Sequence, residues 1–162
     1  MAIPYQQFVG EQDALSLVRD TLPRIVAACG ALTPSAIAAP IAPGKWSVHE
    51  IIAHLADSEL AFQNRARLIL FEDTPHLVPF DQDRWLNGWR REGETFAQTL
   101  ERFRVLREST IRLYANAPAE DLTRFGMHDE RGQQSAGDYL ILIAGHTMHH
   151  VLQIEAYATA AV

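Results

Sequence analysis

His146 and His150 stand four residues apart in the stretch HTMHHVLQI. On a helix this spacing places two imidazoles on one face with Cβ atoms about 6 Å apart, within reach of a single ion. At 100° per residue they share a face with Tyr139, Leu142, Ile143, Gln153, Ile154 and Tyr157, the most apolar side of that helix, so both point inward. His149 projects away from His150 and reads as a surface residue or as a group supporting the ligands. Seven histidines in 162 residues make one such pair a weak signal by itself. His54 supplies a third imidazole, beside the apolar stripe Val48, Ile51, Leu55, Phe62 and Ile69 of an earlier helix. Three imidazoles from two helices suit one divalent transition metal ion per chain, zinc or nickel first and iron or copper also compatible, with a coordination position left for water or substrate. The competing reading makes His54 a core histidine hydrogen-bonded to a backbone or carboxylate group.

Carboxylates near these residues have two readings each. Asp81 and Asp83, in the stretch PFDQDRW, are candidates for a general base or a fourth ligand, against the simpler role of turn-forming and capping aspartates. Glu50 lies one turn before His54, yet Ser47-Val48-His49-Glu50 is a capping box and accounts for it. Asp57 is expected on a solvated face, and Ser58 lies one turn beyond His54. Glu59 falls at the edge of the apolar stripe, where an acid needs a partner; Arg104, Arg107 and Arg112 are the candidates. Trp85 and Trp89 wall a pocket or pack on the bundle. His128, beside Asp129 and Glu130, is expected to be exposed, and His49 and His76 receive no role.

Four segments with helical periodicity must position these groups, which predicts an all-α fold, a four-helix bundle in a single domain spanning 1–162. The first helix runs from about Glu11 to Ala31 with Pro23 inside it, the second from Ser47 to Phe71, the third from Gly93 to Asn116. The fourth opens at a second capping box, Ser135 with Asp138, and reaches about Ala158. Between the second and third lies a long connection, Glu72 to Glu92. It can cross the bundle and let those two helices run parallel. The formal net charge of −6, with Lys and Arg scattered, argues against nucleic acid. No apolar stretch approaches the roughly 20 residues that cross a bilayer, and the start MAIPYQQFVGEQD has no basic, apolar leader pattern, so neither membrane nor export is expected. The only cysteine, Cys29, reads as a buried thiol in a reducing cytoplasm.

At GKWSVHEIIAHLADSE and HTMHHVLQI the chain resembles the DinB/YfiT-like superfamily of small bacterial metal-binding bundles. The resemblance runs from the GKWS start of the second helix, through PFDQDRW, to the end of the fourth. It implies that His54, His146 and His150 ligate a divalent ion, that a long crossover joins parallel central helices, and that the chain forms a homodimer. The activities it implies are diverse: thiol transfer with low-molecular-weight thiols, isomerisation of thiol adducts, or no assigned reaction. Together these readings point to a divalent-metal-dependent enzyme acting on a small molecule, a thiol-dependent S-transferase or a hydrolase. Two alternatives stand beside it: a non-catalytic, stress-associated bundle whose ion staples two helices, and a helical interaction module with an incidental histidine cluster.

Overall fold

The structure is a computed structural model that describes residues 2–160. Side-chain caps set where each long helix begins. The Asp13 carboxylate accepts from the Ser16 amide and opens α1, Ala14–Gly30, which continues through Pro23. Thr33 caps the short α2, Pro34–Ala38. Ser47 and Glu50 exchange hydrogen bonds at 2.8 and 3.1 Å and open α3, Val48–Phe71. A Thr95–Gln98 box opens α5, Phe96–Ala115, and Ser135 with Asp138 starts α6, Ala136–Ala160. α1, α3, α5 and α6 are the four bundle helices predicted from periodicity.

The connection after α3 is more structured than its prolines suggest. It holds a two-residue strand β1, His76–Leu77, and an amphipathic helix α4, Gln82–Glu92. Asp81 caps α4, and Gly93, at a φ of 72°, ends it in the left-handed region. Trp89 and Leu86 bury against Ala53 of α3, which fixes α4 to the bundle. Contacts between α3 and α5 rise in step along both helices: His49 with Thr99, Asp57 with Arg102, Glu59 with Arg107, Gln63 with Thr110. These two helices are therefore parallel, which the crossover makes possible. α3 and α6 run antiparallel, since His54 meets His150 while Phe62 meets Tyr139.

A second element absent from the helical reading is a hairpin of β2, Phe125–His128, and β3, Gly132–Ser135. β1 pairs with β2 in parallel to complete a three-stranded sheet. Gly132, at a φ of 67°, closes the turn that Asp129-Glu130-Arg131-Gly132 announces in the sequence. The strands are four residues or shorter, too brief for a period-2 pattern to stand out from a loop.

At the centre of the bundle lies the Arg107 guanidinium, fully buried. It donates to the Glu59 carboxylate at 2.8 and 3.1 Å, to the Val18 carbonyl and to the hydroxyls of Thr21 and Thr147. One side chain thus ties α1, α3, α5 and α6 together, with Thr147 adjacent in sequence to His146. Cys29 is buried in the core, and burial pushes its thiol up to about 11. No helix among the described residues is long and apolar enough to cross a membrane.

Candidate metal centre and its cavity

α3 presents His54 and α6 presents His146 and His150 at the same level of their antiparallel contact. The three ring centroids lie 4.8 to 5.2 Å apart, and the planes stand at 71 to 87° to one another. The Nε2 atoms of His54 and His146 are 3.0 Å apart, and one nitrogen from each ring falls within 4.8 Å of the others. All three side chains are at least nine-tenths buried.

Burial decides their protonation. Removal from water pushes His54 down to about 4 and His150 down to about 3, the latter with a further push from His54. His146 is lowered well below the ordinary range by burial, then by His150 and His54. At neutral pH all three are uncharged and keep a ring lone pair, the form in which histidine ligates a metal. The Nδ1–H of His150 donates to Gln153 Oε1 at 2.8 Å, which leaves Nε2 as the lone-pair nitrogen. Three neutral imidazoles with orthogonal planes and converging nitrogens fit a divalent transition ion. No fourth His, Cys, Asp or Glu joins this group among the described residues.

Aromatic rings wall the cluster. Trp46 lies 4.9 Å from His54, and Tyr5 meets His146 edge-on at 5.2 Å. Tyr5 belongs to an N-terminal turn that crosses α6 at Gly145, where a Cβ would come within 2.3 Å of the Tyr5 carbonyl oxygen. Only glycine admits that crossing. His54 and His146 open onto a cavity of about 200 Å³ that they line together with Ser58, Arg65, His128 and Arg131, while His150 borders a separate depression with Trp46 and Gln153.

A family model described as the DinB superfamily matches residues 17–154. The chain belongs to the DinB superfamily. Among relatives named provisionally as metal-dependent hydrolases, one from Bacillus pumilus is 31% identical over 127 residues, 76% of this chain and 70% of its own length. One from Oceanobacillus iheyensis is 27% identical over 114 residues, 69% of this chain. The match spans 64% of that relative's length, under two thirds. The solved structure of YfiT from Bacillus subtilis superposes with a TM-score of 0.82 at 22% identity, covering 91% of this chain and 85% of YfiT. Its description names a metal-dependent hydrolase, again provisionally, with an unusual four-helix bundle topology. The likeness establishes the four-helix fold.

Within this DinB-like bundle the other candidates fall in several places. Asp81 is not brought to the histidines: its carboxylate accepts from the amides of Asp83 and Arg84 at the start of α4, and it lines a separate depression with Trp85 and Arg84. Asp83 sits exposed in the first turn of α4. Asp57 is not on a solvated face; it pairs with Arg102 at 2.7 Å. His128, expected at the surface, is 3% exposed, because alternate residues of β2 face inward and the cavity takes its ring. His149 is half-buried against Tyr5 and Phe8 at 5.3 and 5.1 Å. His49 contacts Thr99 and stacks edge-on against Trp89. His76 contacts Asp129 at the surface. Trp89 packs inward, whereas Trp85 is partly exposed against Phe80. Glu130, given no role from sequence, is the carboxylate that lines the cavity. Its position depends on a hairpin whose inward phase only the structure reveals.

Proposed function

We propose that this protein is a metal-dependent enzyme whose ion is held by His54, His146 and His150 and whose small substrate enters the adjoining cavity. The observation that carries the reading is the convergence of three buried, neutral imidazoles, two of which, His54 and His146, line a cavity of about 200 Å³. A divalent ion held by three imidazoles supplies Lewis acidity to an oxygen or sulfur ligand at its remaining positions. Zinc or nickel suits the donor set best. The chain's own residues do the rest. Trp46, Tyr5 and Phe62 pack their rings against the imidazoles and hold them in place, and Gln153 fixes the tautomer of His150. Glu130, at the rim of the cavity, takes the proton of the attacking nucleophile.

With water as nucleophile the reaction is hydrolysis, as the names of the relatives suggest; with a low-molecular-weight thiol it is S-transfer, as the family resemblance suggests. Steady-state assays of the zinc-loaded chain with 4-nitrophenyl acetate, with and without cysteine, separate the two. Zinc-dependent turnover is expected in the native chain. It should vanish in His150→Ala and fall about 100-fold in Glu130→Gln, which keeps its metal. Acceleration by cysteine with formation of the thioester assigns S-transfer, and its absence assigns hydrolysis. Equal rates in all three proteins contradict the proposal.

A further inference from the structure

The cavity beside the histidines is lined by hydrogen-bond donors, and on Ser58, His128 and Arg131 the protein leaves one unused. Arg65 is 4% exposed; one N–H reaches the Val78 carbonyl at 2.6 Å, and its guanidinium lies over the rings of Phe62 and Phe80. Arg131 donates from Nη2 to the Tyr139 hydroxyl, while its Nε is buried without a partner. Neither arginine forms an ion pair among the described residues, unlike Arg24, Arg90, Arg102, Arg104, Arg107 and Arg124. Both line the same cavity; burial and then Arg131 push Arg65 down, and burial and then the two arginines push His128 down.

His128 adds a neutral donor. Its Nδ1 accepts from the Glu130 amide at 3.2 Å, so the ring hydrogen resides on Nε2, and that nitrogen is buried without a partner. Burial and the arginines keep the ring uncharged. The Ser58 hydroxyl, on the same face of α3 as His54 and Arg65, is likewise buried and unpaired. Glu130 is the only acid on the cavity wall, and it is exposed at the rim. Two guanidiniums, an imidazole N–H and a hydroxyl around one small space are a receptor for acceptor oxygens carrying negative charge.

We propose that Arg65, Arg131, His128 and Ser58 bind an oxyanion group of the substrate, so that the enzyme acts on a small anionic molecule anchored here while its reacting end meets the histidine site. The anchor is of carboxylate or phosphate type. A volume of about 200 Å³ is below the range of about 300–1,000 Å³ typical of drug-sized ligands, and it selects a small metabolite. This inference rests on the metal-enzyme reading above.

The test uses the full chain loaded with cobalt, titrated while its visible spectrum is recorded. The probes are acetohydroxamate, succinic monohydroxamate, the corresponding neutral amide, and a phosphonate-tailed hydroxamate. The native protein is expected to bind an anionic tail at least tenfold more tightly than the amide. In Arg131→Gln that preference should fall to within about threefold while acetohydroxamate binds as before; Ser58→Ala, which removes no charge and little volume, should reduce it partially. A stronger response to the phosphonate than to the carboxylate identifies the anchor as phosphate-type, and the reverse as carboxylate-type. If acetohydroxamate binds but charged and neutral tails bind equally in the native protein, the oxyanion anchor is wrong and the open metal site stands. If no hydroxamate alters the spectrum of stoichiometrically loaded protein, the metal-enzyme reading falls and takes the anchor with it.

Discussion

The Nε2 atoms of His54 and His146, 92 residues apart in the chain, face each other at 3.0 Å across the antiparallel contact of α3 and α6. Both rings are neutral, so at most one can donate to the other; an ion between them and His150 uses all three lone pairs at once. Replacing His54, His146 or His150 by Ala should therefore lower metal affinity by more than about 100-fold, and Gln153→Ala by about 10–100-fold through loss of the His150 orientation. His49→Ala and His149→Ala should retain one ion per chain. Calorimetric titration with zinc checks this series, and equal loss on replacing His149 would show that the pair on α6 is misassigned.

Arg107 and Glu59 carry the next expectation. Their pairing at 2.8 Å is fully buried, and the arginine also satisfies groups on α1 and α6. Removing the charge from one partner leaves the other unpaired in the core, so Glu59→Leu and Arg107→Met should each destabilise by about 3–5 kcal/mol. A double replacement by Leu and Met should recover part of that loss. Urea denaturation of the four proteins measures both effects; additive losses in the double variant would contradict the coupling.

Much of this arrangement was legible in the sequence because it resides in helices. The wheel that put His146 and His150 on the apolar face and the need of Glu59 for an arginine follow from one periodicity acting over many residues, and the box at Ser47 is a local four-residue motif. The strands β1 to β3 lack that length. His128 and Glu130 reach the cavity through a hairpin whose four-residue strands give no phase signal, and His128 is placed by tertiary pairing with Leu77. Asp81 illustrates the converse: a carboxylate in a distinctive loop motif is occupied by the amides of its own helix start. Tyr5 approaches His146 only because Gly145 lacks a side chain, a relation between distant segments that no local pattern announces.

Acid should weaken the metal-free protein through the same imidazoles. In the unfolded chain they take up protons near pH 6.5, whereas in the native state His54 does so near pH 4 and His150 near pH 3. Between these limits the unfolded state binds more protons, so stability present above pH 6.5 is lost progressively as pH falls toward 4. The loss is on the order of 3 kcal/mol for His54 alone, from burial of the neutral ring. Thermal denaturation in the presence of a chelator should show a fall in Tm from pH 6.5 to 4.5 that is smaller in His54→Gln. Identical pH profiles for the two proteins would refute this account of burial.

Gly145→Ala tests the N-terminal turn. A methyl group there collides with the Tyr5 backbone, so the turn must lift from α6 while the helix itself gains a better helix former. The expected result is faster hydrogen exchange around residues 5–8, with His146 and His149 losing their aromatic cover and the helical circular dichroism preserved. Exchange unchanged at these residues would show that the turn tolerates the methyl group in place.

The central claim is that three histidines hold one ion and leave it accessible. The most direct measurement is the visible spectrum of the cobalt-substituted protein, prepared without an affinity tag, as azide is added. One cobalt per chain and a saturable spectral change are predicted, because a ligand entering an open position alters the field at the ion. The change should be absent in His150→Ala, which no longer retains the metal. A native protein that binds one cobalt tightly, yet whose spectrum is indifferent to azide and to cysteine, would contradict the account and make the ion a structural staple between α3 and α6.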